Sequence, residues 1–192
     1  MSQMFDGCYS LPQLDVSCFN TSSVTDMSKM FSNCYSLQQV DLSSFNTSNV
    51  TTMSNMFNNC YSLQNIDLSG FDTSSVTSMF RMFYYCYSLQ QVNLSSLNTS
   101  NVTNMVDMFY YCTAIKIVEP FQSTLTTSQV NSLFDSYGLF RRSYLYRSTY
   151  LSWCEIIPEG TGTIRVSSTL NYKLSDADRA LLTNKGYTLS IS

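Results

Sequence analysis

The pair Met-Phe occurs at residues 4–5, 30–31, 56–57, 82–83 and 108–109, always 26 residues apart, and Cys8, Cys34, Cys60, Cys86 and Cys112 follow at the same interval. One unit, residues 30 to 55, reads MFSNCYSLQQVDLSSFNTSNVTTMSN. Four complete units run from Met4 to Asp107, and a fifth begins at Met108 and loses the pattern after Cys112. A unit this short cannot bury its own apolar side. Stacked on copies of itself it can, so the period predicts an array in which each coil covers the next.

Two periodicities alternate within each unit. In Leu37-Gln38-Gln39-Val40-Asp41-Leu42-Ser43, Val40 and Leu42 alternate with polar residues, which predicts a strand with one buried face. From Val50 to Cys60, apolar residues fall at i, i+3, i+6, i+7 and i+10, which predicts one stripe of a short helix. The preceding Thr47-Ser48-Asn49 offers several side chains able to cap its first turn. Stacking then places a parallel sheet on one side and short helices on the other.

Repeats of the form MFxxCxSLxxLDLSxFxTSxVTxM resemble the BspA-like leucine-rich-repeat surface proteins. The resemblance covers residues 4 to about 118, where Cys, Leu-x-x-Val-Asp-Leu-Ser, Phe-Asn-Thr-Ser and Val-Thr recur in order. It implies an α/β solenoid: a right-handed leucine-rich-repeat coil with one parallel sheet of about seven strands and short helices opposite. It also implies an adhesin-like, ligand-binding role at a bacterial cell surface, outside the cell.

Residues 1–118 are thus read as the solenoid and 119–192 as degenerate repeats, an aromatic and Arg-rich insertion (137–160) and a C-terminal cap. Ile115 to Val118 sits where a fifth strand belongs, Ser128 to Ser136 has helical spacing, and Thr163 to Ser167 alternates again. Ser175 is placed to cap a helix through Lys185, with Gly186 just beyond and a last strand over Tyr187 to Ile191. At the other end, Met4-Phe5 enters in mid-repeat with no polar capping unit, so either the chain is cut from a longer protein here or this end docks on another chain, in which case homo-oligomers or a larger assembly are expected.

Composition narrows the function classes. The chain has no His, which removes the commonest general base and the commonest zinc ligand together. It shows no nucleophile motif, no glycine-rich phosphate loop and no asymmetric carboxylate pair, so no catalytic residue, metal ligand or cofactor is assigned and the chain is read as not an enzyme. Only 12% of residues are charged, the net charge is −3, and no basic field suits nucleic acid. No apolar run approaches a membrane span.

Asp15, Asp41 and Asp67 form a column with Asn93 and are read as a solvated ladder relieved by Ser17, Ser43 and Ser69. Asn20, Asn46, Asp72 and Asn98 form a second column that bonds the backbone of a turn, and the cysteines are read as packing residues with free thiols.

The binding candidates are aromatic. Tyr9, Tyr35, Tyr61 and Tyr87 form one column, and the two residues before each Cys vary, becoming Tyr84-Tyr85 and Tyr110-Tyr111 in the last units. Tyr84, Tyr85, Tyr87, Tyr110 and Tyr111 are therefore expected to cluster near the C-terminal end, either as an exposed patch or beneath the cap. The insertion adds Arg141, Arg142, Tyr144, Tyr146, Arg147 and Trp153, the residue types of interface anchors. The expected activity is non-catalytic recognition of a protein or glycan on a host or cell surface. The alternative is a structural part of a bacteriophage virion, such as a fibre, tail or decoration protein.

Overall fold

A computed structural model of the chain describes residues 1–119, 162–166 and 174–191, together with Thr126, Gln129, Cys154 and Glu159. In the repeats the strands are short: β1 (Gln13–Leu14), β2 (Gln39–Val40), β3 (Asn65–Ile66), β4 (Gln91–Asn93) and β5 (Lys116–Glu119). β1 pairs with β2, β3 with β4, and β4 with β5, all parallel; the register advances 26 residues from β1 to β2 and from β3 to β4. Between the units that carry β2 and β3, the Gln64 N–H donates to the Gln38 carbonyl (3.1 Å) and the Ser62 N–H to the Tyr35 carbonyl (3.2 Å). The strands of the repeats fall into a two-stranded sheet, β1–β2, and a three-stranded sheet, β3–β4–β5. A second column of parallel bridges links Asp26, Thr52, Ser78 and Asn104.

The segment expected as a short helix is a run of turns. Residues 53–59 contain no helix, because two positions per unit sit in the left-handed region. One column comprises Gln3, Lys29, Asn55, Arg81 and Asp107 at φ 53–61°; the other comprises Gly7, Asn33, Asn59, Tyr85 and Tyr111 at φ 59–81°. A helix would direct every N–H to its own preceding turn. Here alternate N–H groups donate to the next unit instead: Phe5 to Met30, Phe31 to Met56, Phe57 to Met82 and Phe83 to Met108, each at 2.9 Å. The intervening ones close turns, as from Cys60 to the Phe57 carbonyl (3.2 Å). The backbone thus satisfies itself between repeats on this side as well.

The interior is built of columns of like residues. Phe5, Phe31, Phe57, Phe83 and Phe109 stack with ring centroids 5.4–5.6 Å apart and planes within 8° of parallel. Around them lie two buried methionine columns, with Met27 and Met30 as their first members, and the Leu37, Leu63 and Leu89 column. The Cys column is buried as expected for packing, and it does more. The thiols of Cys34, Cys60, Cys86 and Cys112 each donate to the phenylalanine carbonyl of the preceding unit, at 2.9–3.2 Å. Burial pushes the Cys34 thiol up to about 12 and those of Cys60 and Cys86 well above the usual range, so the proton that makes these bonds stays in place. All seven cysteines are free.

Buried threonines tie the turns together. The Thr21, Thr47 and Thr73 hydroxyls donate to the Asn46, Asp72 and Asn98 carbonyls, and Thr21 and Thr47 also accept from the Asn46 and Asp72 N–H groups. Beyond the last full unit, the buried Gln129 takes over: its Nε2 donates to the Thr99 and Val102 carbonyls, both at 2.7 Å.

The C-terminal part carries β6 (Gly162–Val166) paired in parallel with β7 (Tyr187–Ile191), in a sheet of their own. Helix α1 (Asp176–Thr183) lies between them in sequence. Ser175 caps it in a reciprocal box with Asp178, and Gly186 follows at φ 94°. Lys185 lies past the helix end, which stops at Thr183. The helix expected over 128–136 lies outside the described residues apart from Gln129.

Candidate functional site: an aromatic ladder

The Tyr9, Tyr35, Tyr61 and Tyr87 rings form a column at one corner of the stack, with successive centroids 4.9, 4.7 and 5.4 Å apart. Tyr9, Tyr35 and Tyr87 are 55%, 36% and 40% exposed, and Tyr61 is half-buried. At its C-terminal end the column widens. The Tyr85 ring lies 5.5 Å from Tyr87, 4.4 Å from Tyr84, 4.9 Å from Tyr111 and 5.5 Å from Tyr110. Tyr84, Tyr85 and Tyr111 are half-buried.

Of the two arrangements open for this cluster, exposed patch or burial, Tyr110 takes the buried one. It is only 8% exposed, because it stacks on Tyr84 at 4.8 Å and meets Tyr85 and Tyr111 edge-on. It serves as the floor of the cluster. Arg81 fixes the adjoining edge: its guanidinium lies 4.6 Å over Tyr84 and its Nη2 is 3.0 Å from the Asp107 carboxylate. Tyr84 is therefore engaged by Arg81 and Tyr110 together. Burial raises the Tyr61, Tyr84 and Tyr87 phenols above their ordinary value, and neighbouring phenols add to it.

The residues before each Cys are less free than their variation suggests. Ser32 is buried, and the residue directly before Cys is held in the left-handed region in every unit. Gly7, Asn33 and Asn59 suit that conformation. The amides also form a ladder, with Asn33 Nδ2 donating to Asp6 Oδ1 and Asn59 Nδ2 to Asn33 Oδ1, both at 2.8 Å. At Tyr85 and Tyr111 the ladder gives way to rings at φ 62° and 60°. A bulky residue there is an outlier that costs about 1–2 kcal/mol. No sequence periodicity marks this column as left-handed; the Gly, Asn, Asn succession is the one trace of it.

The strand-side columns are structural in their contacts. Asp15 accepts from the Ser17 hydroxyl and N–H, and Asp41 and Asp67 accept from the Ser43 and Ser69 N–H groups; those bonds lower their carboxyl pKa values. The Asn20, Asn46, Asp72 and Asn98 side chains accept in the same way from Ser22, Ser48, Ser74 and Ser100. Among the described residues no group of three or more acidic or cysteine side chains is placed to hold a metal ion, and no helix is long and apolar enough to cross a membrane. Arg141, Arg142, Tyr144, Tyr146, Arg147 and Trp153 lie outside the described residues.

No curated relative and no solved structure matches this chain. A family model does match, over residues 1–86 and again over 42–153, overlapping as a 26-residue period allows. Those two spans take in every repeat and the whole aromatic ladder. The chain with its stacked 26-residue units thus belongs to the family described as Mycoplasma protein of unknown function, DUF285.

Proposed function

We propose that the repeats wind as a leucine-rich-repeat solenoid of the BspA-like kind and that the protein is a non-catalytic binding module, displayed at a cell surface, that recognises a protein or glycan through the aromatic ladder. The observation that carries this reading is the left-handed backbone of Tyr85 and Tyr111. Earlier units place Gly or Asn there and gain an amide ladder as well. The last two units forgo both for phenol rings. Strain kept at an accessible aromatic cluster is the mark of a residue retained for contact rather than for stability. Tyrosine suits that role, because it offers large rigid area and a hydroxyl at low entropic cost.

The double variant Tyr85→Asn with Tyr111→Asn tests the reading. It relieves two strained positions but gives up the ring contacts of Tyr85 and Tyr111 with Tyr84, Tyr87 and Tyr110, so circular dichroism first establishes that the variant is folded at the assay temperature. Binding to immobilised mucin or fibronectin, read by surface plasmon resonance, is expected to fall about tenfold or more, the loss of one or two buried aromatic anchors. Unchanged binding by a folded variant overturns it.

A further inference from the structure

No disulfide ties one unit to the next: all seven cysteines are free, and four of the Cys column donate their thiol protons to phenylalanine carbonyls. The tyrosine column offers a different bond. Tyr35 and Tyr61 stack at 4.7 Å with planes 6° from parallel, closer and flatter than Tyr9 on Tyr35 (4.9 Å, 33°) or Tyr61 on Tyr87 (5.4 Å, 45°). The phenylalanine column is stacked as regularly, but it is buried and has no phenol oxygen. Two phenols held face to face, one of them open to solvent, are partners for oxidative coupling.

The geometry points to Tyr35 and Tyr61 as a site of covalent modification, at which a one-electron oxidant, a peroxidase working on hydrogen peroxide, joins the two rings and staples one unit to the next. Each phenol gives up its O–H hydrogen, as one electron and one proton, and becomes a phenoxyl radical. The two radicals form one C–C bond between ring carbons beside the oxygens. The hydrogens displaced from those carbons return to the oxygens as both rings regain aromaticity. One hydrogen peroxide takes up the two electrons and two protons and leaves as two waters. Between separate molecules this coupling requires two short-lived radicals to meet by diffusion. In the stack the partner ring is already in place, at an effective concentration far above that of any dilute protein solution. Tyr35 is 36% exposed, which admits the oxidant and leaves its ring room to swing as the bond forms. Competing side chains nearby are shielded, since Met30, Met53, Met56 and Cys60 are fully buried. Tyr110 stacks on Tyr84 almost as flatly, but it is buried too. The new bond closes a loop from residue 35 to residue 61, and so restricts the unfolded chain as a disulfide would. The inference holds whether or not the ladder has a ligand.

The test uses the native chain at low micromolar concentration, with the exposed Cys18 first blocked by iodoacetamide. It is treated with a haem peroxidase and hydrogen peroxide, separated on a denaturing gel, and digested with a protease that cuts before Asp. That digestion places Tyr35 in the fragment 26–40 and Tyr61 in 41–66, each as its fragment's one tyrosine. The fluorescence of coupled phenols is expected in the band at the monomer mass of 21.8 kDa. Mass spectrometry is expected to find the two fragments joined and short of two hydrogens. Tyr61→Phe keeps the ring and the stack but cannot form a phenoxyl radical; circular dichroism establishes that it is folded, and the joined pair is expected to disappear. If the parent yields no joined pair, or the fluorescence appears only at twice the monomer mass and above, the inference is overturned. Undiminished monomer fluorescence in folded Tyr61→Phe overturns it as well.

Discussion

Replacing Asn59 by Ala and by Gly should reverse the usual order of those two residues. Asn59 sits at φ 61°, and its Nδ2 donates to Asn33 Oδ1 at 2.8 Å across the stack. Either substitution deletes that bond, at about 1 kcal/mol for a half-buried pair. Ala must also hold the left-handed conformation, which adds roughly 1–2 kcal/mol, whereas Gly holds it freely but gives up about 0.5–1 kcal/mol of unfolded-state entropy. Asn59→Ala is therefore expected to cost about 2–3 kcal/mol and Asn59→Gly about 1.5–2. Their difference of about 1 kcal/mol corresponds to roughly 2–4 °C in melting temperature for a chain of this length. Thermal melts by circular dichroism at matched concentration read it directly. In an ordinary strand or helix Gly is the less stable of the two. If Asn59→Ala melts at or above Asn59→Gly, the left-handed column is not a requirement of the repeat, and the strain assigned to Tyr85 and Tyr111 falls with it.

The threonine column predicts a penalty without a cavity. Thr47→Val keeps the side-chain shape but strands the Asp72 N–H and weakens its carbonyl's partner set, so a loss of about 2–3 kcal/mol in urea denaturation is expected, against about 1 for Thr47→Ser; equal effects would show that the hydroxyl is idle. The thiol column predicts alkaline sensitivity. Because Cys34 is raised from 9.0 to about 12 in the folded chain, the unfolded chain loses that proton first, and stability is expected to be intact below pH 9 and to decline as pH rises from there toward 12. A denaturation series over that range checks the sign. In native protein, Ellman's reagent is expected to find the exposed Cys18 long before Cys34, Cys60, Cys86 or Cys112.

The 26-residue identity made the stacking direction, the inward Phe, Met, Leu and Cys columns and the strand positions legible before any coordinates. A residue repeated at one interval must meet its own copies, and apolar residues tolerate being enclosed between them without further partners, whereas the buried threonine column needs its hydrogen bonds. The terminal helix was legible for a local reason, since Ser175, Asp178 and Gly186 encode its ends within one short segment. The turn segment was not. Apolar spacing from Val50 to Cys60 fits a helix and a chain of linked turns equally well. The choice depends on whether alternate N–H groups have a neighbouring unit to donate to, which is a property of the stack and not of the segment.

The candidate site divides along the same line. That tyrosines gather at residues 84–87 and 110–111 is written in the chain. That Tyr110 is their buried floor, that Arg81 and Asp107 brace one edge, and that Tyr85 and Tyr111 are held against their conformational preference became visible only once the units were stacked. Sequence alone determined which residues recur and hence which must face one another. Tertiary structure decided what each backbone group bonds to and which φ each residue accepts, because those are settled by partners 25 or 26 residues away, beyond the reach of any local preference.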